Sequence, residues 1–289
     1  MKISHGSKMD FIERPNPRGG VFRYKSLFEY EAGSADSFYF SISQTFSDFF
    51  SPRHRHNFDQ IRFQLEGTSP FAHDGDMRPG MVGYFPEGTH YGPQTATGEA
   101  IVLVLQFGGA SGYGYMGESQ LQRSIADLKQ VGEFKEGVFF RRSGDGRPQQ
   151  DAYEAAWEHW SGRKLEYPGA RYSKPVLMAP DAFAWVADEA RPGVEHKHIG
   201  SFNELGTAMA FHRLAADASC DLQGPMLAYV TSGNGSADGH ELLTGSALHV
   251  DKGEKATLST RDAVELFTIQ LPRVVARSAH ETETASAAA

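Results

Sequence analysis

Between Phe38 and Phe107 the chain alternates between apolar and polar residues in short runs, FYFSISQTF, QIRFQLEG, MVGYF and AIVLVLQF. Turn-rich pieces such as EGTSP, HDGDMRPG and GPQTATGEA separate them. Period-two runs of this length, closed off by Gly, Pro, Asp and Ser, predict an antiparallel barrel or sandwich. The pattern changes after SGYGYMG. The stretches GESQLQRSIADLKQVG and PQQDAYEAAWEHWSG carry helix formers with apolar positions at helical intervals, which predicts two helices. Past about residue 175 the strand pattern returns in FAWVA, TAMAFHRLA, MLAYVTSG, ALHVD and VELFTIQLP. The last stretch, ARSAHETETASAAA, has no periodicity and reads as a disordered tail. The expected division is a β domain over residues 1–112, a helical connector over 113–175, a second β domain over 176–275 and a tail over 276–289.

With 289 residues the chain can bury ample core without covalent staples, and its single cysteine, Cys220, excludes an internal disulfide framework. A formal charge of −8 argues against a nucleic-acid partner, which needs clustered Lys and Arg to neutralise phosphates. The opening MKISHGSKMDFIERPNPRGG lacks the apolar core of a secretion signal, and no run is long enough to span a bilayer. The expectation is a soluble, cytoplasmic protein with no membrane partner.

Chemistry concentrates in SPRHRHNFDQIRFQLEG, residues 51–67. His54 and His56 stand two apart where a strand begins, and Gln60, Arg62 and Gln64 continue the same alternation. A strand sends alternate side chains to one face, so these groups point together. The segment from His54 to Tyr91 resembles the cupin superfamily of small jelly-roll barrels. His54-Arg55-His56 matches its H-x-H pair, Gln60 stands where the family carries a Glu, and Gly67 follows at the family interval. The second motif begins with Gly80, Pro86 and Gly88 at the family's intervals, but its histidine position falls on Tyr91, one residue beyond His90. Asp48 occupies a position where the family has glycine. Either the turn at EGT is shortened and His90 faces inward, or Tyr91 does.

The second half is similar to an eroded cupin. Anchored on Gly233, the H-x-H positions become Cys220 and Leu222, Met226 stands at the Glu position and Asp251 at the proline. The resemblance therefore implies an all-β chain of two jelly-roll barrels joined by a short helical connector, a bicupin with one candidate active barrel. It further implies a divalent transition metal, Fe2+ favoured over Ni2+, Mn2+, Cu2+ or Zn2+, held by His54, His56, Gln60 and His90, with Tyr91 as a catalytic group; Arg62 and Gln64, polar where the family commonly carries apolar residues, are further catalytic candidates as a polar pocket floor. Gln60 keeps an acceptor oxygen while losing the carboxylate charge, which favours an anionic substrate on the metal. Arg62 must find an acceptor wherever it is buried, either a substrate carboxylate or an internal Asp or Glu.

The implied function is an Fe(II)-type oxygenase acting on a small anionic, aromatic or enolisable substrate. Isomerase, lyase or cyclase chemistry on the same barrel, with or without metal, is the second reading, and a small-acid-binding barrel the third. The partner is a small molecule, and the chain a monomer or homodimer. A second H-x-H, His196-Lys197-His198, is followed by Glu204 but lacks the turn glycine, and reads as exposed strand histidines. His73, His212, His240 and His249 read as surface or packing residues. GYGYMG lacks the lysine of a phosphate loop.

Overall fold

The computed structural model describes residues 1–15, 21–30, 36–112, 115–144 and 146–273. Two seven-stranded sheets carry the architecture. The first is built, in spatial order, from strands Val176–Met178, Val82–Phe85, Asp59–Glu66, Ala100–Phe107, Phe38–Thr45, Val21–Tyr30 and Ile12–Pro15. The second runs Lys2–His5, Ser246–Val250, Met226–Gly233, Val264–Gln270, Ala208–Leu214, Val194–Ser201 and Val186–Ala187. Every pairing in both is antiparallel. Smaller ladders close each barrel: Phe50–Ser51 with Gln94–Thr95 and Ser69–Pro70 with Asp76–Met77 in the first, and a four-stranded sheet over residues 219–259 in the second.

The alternation read from the sequence decides what goes where. In the strand Asp59–Glu66, Ile61 and Phe63 point to the opposite barrel, as do Leu103 and Leu105 on the adjacent strand and Phe40 and Ile42 on the strand beyond it. They pack on Phe211, Leu227, Phe267 and Ile269 of the second sheet, with Phe63 5.6 Å from Phe211 and 5.1 Å from Phe267 between ring centres. The two large sheets thus meet face to face through hydrocarbon, the main driving force for joining the barrels. The alternate residues, Gln60 and Arg62 with Val102, Val104, Gln106, Tyr39, Ser41 and Ser43, face the lumen of the first barrel. The lumen of the second is filled by Leu214, Leu222, Val230, Leu248, Val250, Leu258 and Leu266 with Cys220. Burial pushes the Cys220 thiol up to about 11, so at neutral pH it packs as a small apolar group.

Two features depart from the expected division. The strand Lys2–His5 pairs with Ser246–Val250 of the second sheet, and Val176–Met178 pairs with Val82–Phe85 of the first. Each barrel therefore takes an edge strand from outside its expected span, 1–112 or 176–275, because an exposed sheet edge is satisfied by whichever neighbouring segment reaches it. The connector holds helices α1 (Glu118–Val131) and α2 (Ala152–Ser161) as expected, and also a three-stranded meander, Gly132–Lys135, Val138–Arg141 and Gln149–Asp151. Asp151 caps α2 by accepting from the amides of Tyr153 and Glu154 at 2.9 and 3.0 Å. Trp157, Ile125, Leu128 and Phe139 form the connector's own core. No helix among the described residues is long and apolar enough to cross a membrane. The expected tail, 276–289, lies outside the described residues.

Candidate active site

His54 and His56 sit just before the strand Asp59–Glu66, in a segment tied to the turn after Val82–Phe85. His54 donates its amide to the Tyr91 carbonyl at 3.1 Å, and the Tyr91 amide donates back to the His54 carbonyl at 2.9 Å. This reciprocal pair fixes which side chain enters the barrel. The turn keeps its full length: Gly88, at φ +76°, donates its amide to the His56 carbonyl at 2.8 Å, and a Cβ there would lie 2.3 Å from the Pro168 carbonyl. Tyr91 is consequently buried inside, at 2 % exposure, whereas the His90 side chain is exposed and lines no part of the cavity. The assignment of His90 as a metal ligand is corrected accordingly.

Three nitrogen atoms converge on the Tyr91 hydroxyl: His54 Nε2 at 3.0 Å, His56 Nδ1 at 3.5 Å and Arg62 Nη2 at 3.4 Å. His54 Nδ1 lies 2.6 Å from the Pro52 carbonyl oxygen. A carbonyl only accepts, so Nδ1 carries the proton and Nε2 offers its lone pair to the lumen. Arg62 donates from Nε to Gln60 Oε1 at 2.6 Å and from Nη1 to Gln94 Oε1 at 3.1 Å. Its guanidinium lies over the Phe85 and Phe71 rings at 4.6 and 5.2 Å. Burial pulls its pKa below the ordinary value, the Tyr91 oxygen opposing, but a guanidinium stays protonated. Among the described residues no Asp or Glu pairs with Arg62. Gln64 is corrected too: it lies at the strand's far end, donates to the Glu66 carbonyl at 2.7 Å, and does not line the cavity.

The cavity so formed measures about 220 Å³. The connector roofs it with Tyr115, Met116, Leu121 and Tyr153. Tyr153 donates to Asn57 Oδ1 at 3.1 Å and Tyr115 to Gln106 Oε1 at 2.8 Å, so the roof is hydrogen-bonded to both the histidine segment and the barrel wall.

The other face of the histidine segment rests on a buried polar hub missed in the sequence. Asp59 and Glu87 are both 0 % exposed. Asp59 accepts from Tyr84 Oη at 2.8 Å, the Glu87 amide at 2.9 Å and Asn203 Nδ2 of the second barrel at 3.0 Å. Glu87 accepts from Arg171 Nη1 at 2.6 Å and from the Ser111 amide at 2.8 Å and hydroxyl at 2.5 Å. Arg171 also pairs with Glu204 at 3.1 Å, so Glu204 serves this hub and not His196-Lys197-His198. Desolvation lifts the Asp59 carboxyl from 3.8 to about 6, against the hydrogen bonds that lower it.

That rise corresponds to roughly 3 kcal/mol, and its sign is fixed by linkage. Folded Asp59 holds its proton more tightly than unfolded Asp59, so its contribution is complete below about pH 4 and is lost as pH rises to about 6. Denaturant titrations should show the stability difference between wild type and Asp59→Asn falling by up to roughly 3 kcal/mol over that interval. A difference flat with pH would contradict the assignment.

In the second barrel His196 faces His212 across the strands, with ring centres 6.5 Å apart. Burial, with His196 and Arg191 nearby, pushes His212 down to about 4, and His198 is exposed. Among the described residues no three His, Cys, Asp or Glu side chains gather as a metal-holding group. In the first barrel the donor set is therefore two imidazoles and a phenol. Its separations from Tyr91 Oη, 3.0 and 3.5 Å, match neighbouring ligands about 2.1 Å from one cation, spaced about 3.0–3.4 Å. Arg62 donates to the same oxygen, which would bind a metal as the phenolate. The set fits a first-row divalent metal without Gln60, whose oxygen is engaged by Arg62.

Solved structures share this architecture. A candidate dioxygenase from Nostoc punctiforme superposes with a TM-score of 0.61 at 10% identity, covering 95% of this chain and 84% of that one. Bacillus subtilis oxalate decarboxylase, at pH 4.6, gives 0.53 at 14% identity over 99% and 81%. A Geobacillus kaustophilus protein gives 0.53 at 12% over 96% and 97%. The chain has the two-barrel cupin fold. No family model and no curated protein matches its sequence.

Proposed function

We propose that the first barrel is a metal-dependent enzyme site for a small organic anion, with His54, His56 and the Tyr91 phenolate holding a divalent first-row metal. The observation that carries this reading is the His54 tautomer: an Nδ1–H committed to the Pro52 carbonyl leaves Nε2 as a lone-pair donor, the arrangement of metal-bound histidines. Bound there, the metal supplies Lewis-acid polarisation of a substrate oxygen and, if it is Fe(II), electrons to dioxygen.

The chain's own residues do the rest. Arg62, with no carboxylate partner among the described residues, binds the anionic end of the substrate. Gln60 and Gln94 hold the guanidinium in place. His56, stacked on Phe58 at 4.3 Å between ring centres, keeps its Nδ1 toward the Tyr91 oxygen, where both would face the same metal. The connector roof covers one side of this centre and reduces its contact with bulk water.

Iron-dependent oxygenation is the favoured reaction, supported by the likeness to the Nostoc protein and by the neutral imidazole ligands. The second reading, acid/base isomerisation or lysis by Tyr91, is favoured by its hydrogen bond to the His54 lone pair. Elemental analysis of tag-free protein decides the metal. We expect about one equivalent in wild type and about a hundredfold less affinity in the His54→Ala/His56→Ala double variant. A wild type that binds no iron, manganese, nickel, copper or zinc would overturn the metal reading.

A further inference from the structure

We infer that the ligand of the first barrel is a ring-bearing monocarboxylate, seated with its carboxylate on Arg62 and its ring under the connector roof; this rests on the site proposed above. Three observations converge on it.

The first is charge. Among the residues lining the cavity, Arg62 is the one Arg or Lys. Its Nε and Nη1 bonds and the long Nη2 contact use three of the five N–H donors of a guanidinium. The remaining two serve one carboxylate. Under the connector roof a second carboxylate on the ligand would meet the Tyr115 and Tyr153 rings and the Glu118 side chain, which enters the lining from the start of α1. A carboxylate at that end is thus opposed by Glu118 and meets no Lys or Arg among the lining residues.

The second is size. A cavity of about 150 Å³ with apolar walls takes one benzene ring. At about 220 Å³ this cavity exceeds that by about the volume of a carboxylate, and far exceeds a two-carbon acid.

The third is the wall. Phe58 stands edge-on to Tyr115 at 5.0 Å and 76° and to Tyr153 at 5.7 Å and 61°, while Tyr24 and Tyr39 complete the same side. Such rings at mutual right angles present a face and edges to a planar guest. The Tyr115 and Tyr153 hydroxyls are already engaged with Gln106 and Asn57, so these two residues offer a guest their rings.

Calorimetric titration of wild-type protein with benzoate, benzamide, acetate and oxalate tests the inference. Benzoate is expected to bind at least about tenfold more tightly than each of the others. In Arg62→Gln the preference for benzoate over its amide should vanish. Oxalate or acetate equalling benzoate, or an intact carboxylate preference in folded Arg62→Gln, would overturn the inference; should that variant not fold, the wild-type ratios decide.

The same titration on His54→Ala/His56→Ala separates the two levels of the argument. Benzoate preference retained there, with no metal in wild type, removes the metal reading and leaves this one standing. Stoichiometric metal in wild type without benzoate binding up to about 5 mM does the opposite.

Discussion

Replacing Tyr91 by phenylalanine is expected to abolish tight metal binding, by about a hundredfold or more in affinity, while leaving the fold intact. The reason lies in what the ring and the hydroxyl do separately. The ring packs against Phe85 at 4.8 Å and Phe71 at 6.0 Å, and phenylalanine preserves both contacts. The ring also lies 4.5 Å from the His54 ring, 5.7 Å from the His56 ring and 5.6 Å from the Arg62 guanidinium, contacts that phenylalanine keeps, whereas the hydrogen bonds to these three residues need the hydroxyl. Thermal unfolding should therefore move by only a few degrees, whereas metal content, measured on the same preparation, should fall with the oxygen. A Tyr91→Phe protein that keeps full metal occupancy but loses turnover by about 10²–10⁴ would move Tyr91 from ligand to proton donor.

The largest effect on stability is expected at the opposite face of the same turn. Glu87→Ala should cost about 2–4 kcal/mol, because it removes a fully buried carboxylate, takes from the quarter-exposed Arg171 one of its two acidic partners and leaves the Ser111 amide without that acceptor. Glu87→Gln, which keeps an acceptor oxygen, should cost less. Gly109→Ala probes the same hub sterically: its Cβ would lie 2.2 Å from a Glu87 carboxylate oxygen, so it should destabilise although it adds one methyl group. Denaturant midpoints should rise from Glu87→Ala through Glu87→Gln to wild type, with Gly109→Ala also below wild type. Glu87→Ala within about 1 kcal/mol of wild type would mean that water replaces the carboxylate at little cost.

Much of this was readable in the chain. The alternation in QIRFQLEG separates Ile61 and Phe63 from Gln60 and Arg62, and a period of two admits no other partition once one face is known. The spacing from Gly80 to Gly88 likewise fixed the turn that delivers Tyr91. What decided between His90 and Tyr91 was not local. The turn keeps its length because Gly88 is held against Pro168, and Thr89 donates to the Tyr172 carbonyl, both far along the chain. Arg62 could be placed from sequence but not its partners, since Gln94 and Tyr91 reach it only after the barrel closes. The hub of Asp59, Glu87, Arg171 and Asn203 gave no signal, because its members are isolated polar residues drawn from four segments. The meander after α1 had one: GEFKEGVFF alternates about a Glu136-Gly137 turn. Gln64 follows the lumen alternation, yet a bulge between Ile101 and Val102 marks where the ladder ends its regular course, and its amide turns back on Glu66.

The exchange of edge strands bears on how the chain reaches this state during synthesis. Lys2 pairs with His249, so the strand Lys2–His5 waits during synthesis for a partner that lies far along the chain. Closing so long a loop is slow relative to local hairpins, and until it happens the strand Ser246–Val250 lacks its outer neighbour. Neither barrel can complete its sheet as an autonomous nascent unit, and a truncation that spares every active-site residue can still leave an open edge ready to recruit a second molecule.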